Sequence, residues 1–235
     1  MIFYLGSPGS PLQANACRDR PVLISYGAWA KANVAAWVPS FSRLLVDSGA
    51  YSELNSGVKI DIDRYIEWAS GFPFADAVAC LDDISGDWRR SMANYVAQPD
   101  GFPTFHDTDP PELLDELIAM ARERNRWLGI GVKPPRQRRL DWLDRTLEQI
   151  PREIHVHGWA LALFTDRCRR RLDSVDSTHW WRESHKYLAD PKLSHLTPAE
   201  CLEIAVKKVD RWPWMEEKAS QQRHLFAARE ATDDE

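Results

Sequence analysis

The sequence predicts an α/β protein built as a compact (β/α)8, TIM-like barrel, and three observations carry the prediction. Eight short apolar runs alternate with amphipathic stretches along the chain. Several acidic residues fall directly after those runs, where barrel strands end. The 235 residues suffice for one sizeable core, near the short end for a fold that usually needs roughly 250.

The runs are Ile2–Leu5, Val22–Ser25, Arg43–Val46, Ala75–Leu81, Phe102–Phe105, Trp127–Ile130, Ile154–Val156 and Leu172–Val175. The stretches Asp61–Ser70, Trp88–Ala97, Pro111–Arg124, Leu140–Ile150 and Trp159–Arg170 read as helices between them. An open doubly wound sheet shares this alternation; eight units favour closure. Asp61 before Ile62, and Asp109-Pro110-Pro111 before Glu112, look like helix starts. Thr197-Pro198-Ala199-Glu200 is a capping-box pattern opening a helix that runs to Val209. The expected organisation is one domain over 1–220 and a flexible tail over 221–235.

The net charge of −5 excludes a uniformly basic nucleic-acid clamp, so any polyanion partner must meet a local basic patch. Cys17, Cys80, Cys168 and Cys201 are scattered without a CxxC pair, which argues against a disulfide framework and suits a reducing cytoplasm. No segment approaches the roughly 18 apolar residues of a membrane span, so no membrane partner is expected. Of the 11 tryptophans most read as core fillers, and a few could line a site where flat rings stack.

Asp47 follows Leu44-Leu45-Val46, Asp82 and Asp83 follow Cys80-Leu81, and Asp176 follows Ser174-Val175. In a barrel these strand ends share one rim, and active sites are built there. A lone aspartate after a strand is often only a helix cap or an Asx-turn, and Asp61 and Asp83 suit that reading. Three acids at strand ends are harder to dismiss. His106 follows the run Phe102–Phe105. Gly129 and Gly131 flank another strand end, where backbone could approach a ligand. His155 and His157, two apart on a strand, share a face. With Asp176 they could bind a metal in a barrel hydrolase; the bland alternative is a pair of hydrogen-bonded barrel residues.

The segment LLVDSGAYSELNSGVKIDIDRYIEW resembles the DSG-G/A-F/Y block of the tRNA-guanine transglycosylases, and more closely the block of their DNA-modifying, DpdA-like relatives in phages and bacteria. FYLGS, VACLDDISGD, FPTFHDTDP, LGIGVKP, HVHGWAL and SVDSTHWW follow in the family's order, so the likeness covers most of residues 1–181. It implies a (β/α)8 barrel that replaces guanine by a 7-deazaguanine, such as 7-cyano-7-deazaguanine, without breaking the nucleic-acid backbone and without a metal or other cofactor. Asp176 matches the acid that attacks the sugar. Asp47 matches the acid that carries the proton of the leaving and entering bases. Asp82 matches the acid that reads the base, with Asp83 as the alternative. His106 falls at a base-contacting position, and Gly129 and Gly131 where amides approach the base. Ser48, Gly49, Tyr51, His157, Gly158 and Trp159 complete the expected substrate-binding set, with Tyr51, Trp159 and Trp180 as stacking candidates. The family's CxCxxC…H zinc subdomain is missing, and the chain is short. Both departures favour DNA over tRNA as partner, alongside the free deazaguanine base; the family's habit of dimerising implies a homodimer.

The residue types suit that chemistry. A glycosidic carbon acquiring oxocarbenium character calls for an anionic carboxylate as nucleophile. The departing purine needs a proton from a second carboxyl, and neighbouring acids drive each other's proton affinities apart. Arg136, Arg138 and Arg139, after a strand, could meet phosphates on the same rim, whereas Arg169–Arg171 precedes a strand and reads as a solvated run at the other end. The competing readings are a metal-dependent hydrolase using His155, His157 and Asp176, and a non-catalytic nucleic-acid-binding barrel.

Overall fold

A computed structural model describes residues 1–29, 36–132, 139–161 and 171–210. They fall into two compact units divided between Thr178 and His179.

The first unit contains eight strands: β1 (Ile2–Gly6), β2 (Pro21–Ser25), β3 (Arg43–Asp47), β4 (Ala77–Val78), β5 (Thr104–His106), β6 (Trp127–Gly131), β7 (His155–Gly158) and β8 (Ser174–Ser177). They pair in the order β4-β3-β2-β1-β8-β7-β6-β5, every pair parallel. The ends of this curled sheet approach each other. Ala79 forms a parallel bridge with Phe102, and Cys80 N donates to Phe102 O at 2.8 Å. The arrangement is TIM-barrel-like. All eight apolar runs contribute strands, and six of the strands reach a residue or two past the C-terminal end of the run, so that Asp47, His106 and Asp176 lie inside strands. The run Ala75–Leu81 contributes only Ala77–Val78 to the ladder.

The crossovers hold α1 (Pro11–Ala16), α2 (Tyr26–Trp29), α3 (Ala50–Ser56), α4 (Ile62–Ser70), α5 (Trp88–Ala97), α6 (Leu113–Glu123) and α7 (Leu140–Gln149). Asp61 caps α4 as its sequence suggests, its carboxylate accepting from Arg64 N at 3.1 Å. Leu114, Leu117, Ile118 and Ala121 recur at helical spacing, and this face of α6 packs on β5 and β6. The helix expected over Trp159–Arg170 differs at its start: Trp159 and Ala160 form a turn, and 162–170 lie outside the described residues. Ala160 has φ +51°, a left-handed conformation that a helix cannot continue through. Arg171 is not a solvated cation. It is buried and donates to the carbonyls of Ile150 and Pro151 at 2.8 and 2.7 Å, covering the end of α7. Arg169 and Arg170 lie outside the described residues.

Strand residues alternate between faces. Tyr4, Leu23, Leu45, Ala77, Ala79, Phe102 and Trp127 form one core cluster, joined by Ile2 and Trp159. The other face presents Leu44, Val46, Leu128, Ile130 and Val156, equally buried, as parallel strands covered on both sides must be. Counting by twos from the inner cluster, Ser25 follows Leu23, Asp47 follows Leu45, His106 follows Thr104, and Asp176 follows Ser174. The polar rim is thus the continuation of the apolar interior.

The second unit contains α8 (His179–Ala189), a 3-10 turn at Pro191–Leu193 and α9 (Pro198–Asp210). The capping box forms: Thr197 N donates to Glu200 Oε2 at 2.7 Å, and Glu200 N donates to Thr197 Oγ1 at 3.3 Å. Lys208 reaches Glu183 at 3.1 Å and ties α9 to α8. Among the described residues no helix is long and apolar enough to cross a membrane.

Candidate functional site

Three carboxylates gather at the C-terminal ends of the strands. Asp47 ends β3, Asp82 follows β4 and Asp176 lies in β8. Asp47 feels both of the others. Burial, first of all, pushes its carboxyl up to about 7, and the charges of Asp82 and Asp176 push the same way. A hydrogen bond from the Ser25 hydroxyl and one from the Gly49 amide work against the rise. Gly49 can supply that amide because φ there is +81°, and a Cβ would stand 2.5 Å from Gly27 N. Asp47-Ser48-Gly49 is thus a tight turn that aims backbone at an acid. Ser48 is buried and its hydroxyl accepts weakly from Ala50 N at 3.4 Å.

Asp82 is paired with a cation. His106 Nε2 stands 3.0 Å from Asp82 Oδ2, and His106 Nδ1 stands 3.5 Å from Asp109 Oδ2. Burial would lower the affinity of this imidazole for a proton, but the two carboxylates outweigh it and His106 is pushed up to about 9. It is therefore an imidazolium at neutral pH. Asp109 does not cap α6. It accepts from His106 N at 2.7 Å, and Glu112 takes the cap position without a side-chain bond.

Asp176 is held on the opposite side. Its Oδ1 accepts from Ala160 N at 2.7 Å and lies 3.4 Å from His157 Nε2. His157 is completely buried, and that nitrogen makes no hydrogen bond; the 3.4 Å contact marks proximity without a formed bond. The Trp159 indole donates to Thr104 Oγ1 at 3.0 Å, stacks on Phe102 and meets His157 edge-on at 4.4 Å. It is half-buried.

The glycines have a structural cause. A Cβ on Gly131 would lie 2.4 Å from the His106 ring, and one on Gly129 2.5 Å from both Thr104 Oγ1 and the Trp159 indole nitrogen. At these two positions β6 has no room for a side chain, because the His106 and Trp159 rings and Thr104 fold over it. Gly158 is close-packed against Leu172 and Leu161.

Other expected residues have different surroundings. Asp83 is committed elsewhere: it accepts from Ser85 N at 2.8 Å and pairs with Arg90 at 2.9 Å, the turn role its position suggests. Tyr51 is 62% exposed on α3, and Trp180 is buried in the second unit. Arg139 pairs with buried Asp107 at 3.1 Å on the rim while remaining half-exposed; Arg136 and Arg138 lie outside the described residues. His155 and His157 share a face, as their spacing requires, but each points a ring nitrogen at Ser174 Oγ, both at 2.9 Å. No group of three histidine, cysteine or carboxylate side chains is placed to hold a metal among the described residues. Ser25, Asp109 and Ser174 are the partners that residue-by-residue reading passes over. Ser174 and Asp109 lie two and three residues from Asp176 and His106, so strand periodicity and the short D-x-D spacing were the available signals, whereas Ser25 meets Asp47 only through the register of β2 with β3.

No protein-family model, no curated protein and no solved structure matches this chain.

Proposed function

We propose that this protein is a base-exchange transglycosylase that replaces guanine in DNA by a 7-deazaguanine through a covalent Asp176–sugar intermediate. The observation that carries the reading is the gathering of Asp47, Asp82 and Asp176 on one rim, with Asp47 able to hold a proton near neutral pH. The scaffold is read as a closed (β/α)8 barrel without a zinc-binding subdomain, and the Ala79–Phe102 bridge supports that closure.

Asp176 attacks the anomeric carbon as an anion, its Oδ1 steadied by the Ala160 amide. Asp47, poised at about 7, gives the proton that lets guanine leave and recovers one when the incoming base bonds. Two displacements retain configuration at the sugar. Asp82, with Oδ2 turned to His106, uses its other oxygen to accept from the N1–H and 2-amino group of guanine. Adenine lacks that pair of donors, and a buried acceptor left unpaired discriminates strongly against it. His106 holds the Asp82 carboxylate in place for this task through its 3.0 Å contact. The base reaches the rim only out of the stack, and the Trp159 face is the surface that receives it. Arg139 supplies a cation for the neighbouring phosphate. DNA is preferred to tRNA because the sequence lacks the cysteine cluster of the tRNA enzymes.

Denaturing electrophoresis of the protein incubated with duplex DNA tests the assignment. A protein–DNA adduct is expected from wild type and none from Asp176→Asn. An adduct undiminished in that variant removes Asp176 from the nucleophile role.

A further inference from the structure

Behind Asp176 runs a line of polar side chains that the exchange chemistry leaves unused. Parallel registry sets His157 beside Ser174, and Ser174 lies two residues before Asp176 on the same face. Ser174 Oγ is 2.9 Å from His155 Nε2 and 2.9 Å from His157 Nδ1. A hydroxyl carries one proton and two lone pairs, so a continuous chain through Ser174 has it donating to one ring and accepting from the other. Two polarities are therefore open. In the first, His155 Nε2–H donates to Ser174, Ser174 donates to His157 Nδ1, and the His157 ring proton resides on Nε2, facing Asp176 Oδ1 at 3.4 Å. In the reverse polarity a buried lone pair on His157 faces the carboxylate, and two acceptors oppose each other with no water between them. The anion selects the first.

We infer that His155, Ser174 and His157 form a directional hydrogen-bond chain that orients the Asp176 carboxylate, and that the three are positioning residues for the proposed nucleophile. The inference rests on the role given to Asp176 above. The completely buried, unbonded His157 Nε2 is the second, independent observation. Its desolvation is recovered once the 3.4 Å contact tightens onto Asp176, as catalytic hydrogen bonds commonly do when substrate is bound. Ala160 delivers its amide to the same oxygen from a left-handed backbone, φ +51°. Strain of this kind is characteristically kept at functional sites. With Oδ1 bound by the Ala160 amide and His157 Nε2 approaching the same oxygen, Oδ2 is the oxygen left to meet the sugar. Ring packing fixes the chain: Trp127 stacks on His155 and Trp159 abuts His157. Burial brings His155 down to about 4, so this ring is neutral at working pH, as the chain requires.

Nitrogen NMR of the histidine rings in the full-length protein tests the chain directly, with exchange kinetics beside it. In wild type the His157 proton should reside on Nε2, and both Asp176→Asn and Ser174→Ala should move the His157 ring signals. Ser174→Ala should lower kcat about 10- to 100-fold through misplacement of the nucleophile while changing KM little. His157→Gln, which keeps a donor near the Nε2 position, should retain more kcat than His157→Ala; this pair decides the matter if Ser174→Ala does not fold. A His157 proton on Nδ1, or ring signals indifferent to both neighbours, overturns the inference. Expected ring signals in a protein that exchanges no base would uphold the chain and overturn the transglycosylase reading instead.

Discussion

Replacing Asp47 by asparagine should stabilise the protein at alkaline pH while abolishing its activity. The carboxyl moves from an ordinary 3.8 to about 7 on folding. Between those values the folded chain holds a proton that the unfolded chain has released, so stability falls as pH rises through that window. Below 3.8 both states are protonated and nothing is lost. Above about 7 the whole cost is present, at most roughly 4 kcal/mol. Solvent reaching the half-buried group reduces this, and about 2 kcal/mol is the working expectation. Asparagine keeps the shape and removes the charge. Urea unfolding of both proteins at pH 4 and pH 8 measures the effect. The variant should match wild type at pH 4 and exceed it by about 2 kcal/mol at pH 8, with unchanged m-values. An equal difference at both pH values, or a wild type that gains on the variant as pH rises, refutes the reasoning, because the rim would then carry no buried acid.

Other perturbations probe different parts of the account. Gly131→Ala drives a methyl into the His106 ring and should cost about 1–3 kcal/mol by chemical denaturation; adding His106→Ala should recover part of that loss, since the two sites are in contact. His106 stands above its ordinary 6.5, so its contribution to stability is complete below that value and is lost as pH rises through about 9. NMR titration should show this midpoint falling in Asp109→Asn, and an unmoved midpoint would contradict the Asp109 contact. Arg139→Ala should reduce the slope of log affinity for DNA against log salt by about one, and an unchanged slope rejects its phosphate role. Thr197→Ala should lower the unfolding free energy of the second unit by about 1 kcal/mol through loss of the capping box, measured by hydrogen exchange across α9.

Much of the fold was legible because its signals are local. Apolar runs bounded by turns marked all eight strands, and Asp61 and the Thr197–Glu200 box marked helix starts that form as read. Strand ends were less legible. Pairing carries β3 through Asp47 and β8 through Asp176, since neighbouring strands offer hydrogen-bond partners that composition does not reveal. The division of labour among the acids was only partly legible. Asp83 carries the same local signal as Asp82, and Arg90, seven residues on, is what turns it aside. Asp109 read as a cap because Pro110 and Pro111 follow it, yet the backbone amide of His106 claims it at 2.7 Å, with the imidazole 3.5 Å away. Gly129 and Gly131 read as openings for a ligand, whereas rings from adjacent strands occupy the space. For the glycines the deciding partners come from strands distant in sequence, while for Asp83 and Asp109 they lie three to seven residues away and are chosen by how the local chain turns.

The central claim is that this rim exchanges a base, and the most direct measurement digests the product to nucleosides. Protein incubated with duplex DNA and labelled 7-cyano-7-deazaguanine should yield a labelled deazaguanine deoxynucleoside by mass spectrometry, with one guanine released for each label gained. Asp176→Asn should yield none. Label appearing only in a parallel tRNA reaction would move the substrate to the other polymer. Absence of label from both, under conditions where wild type is folded, would contradict the account.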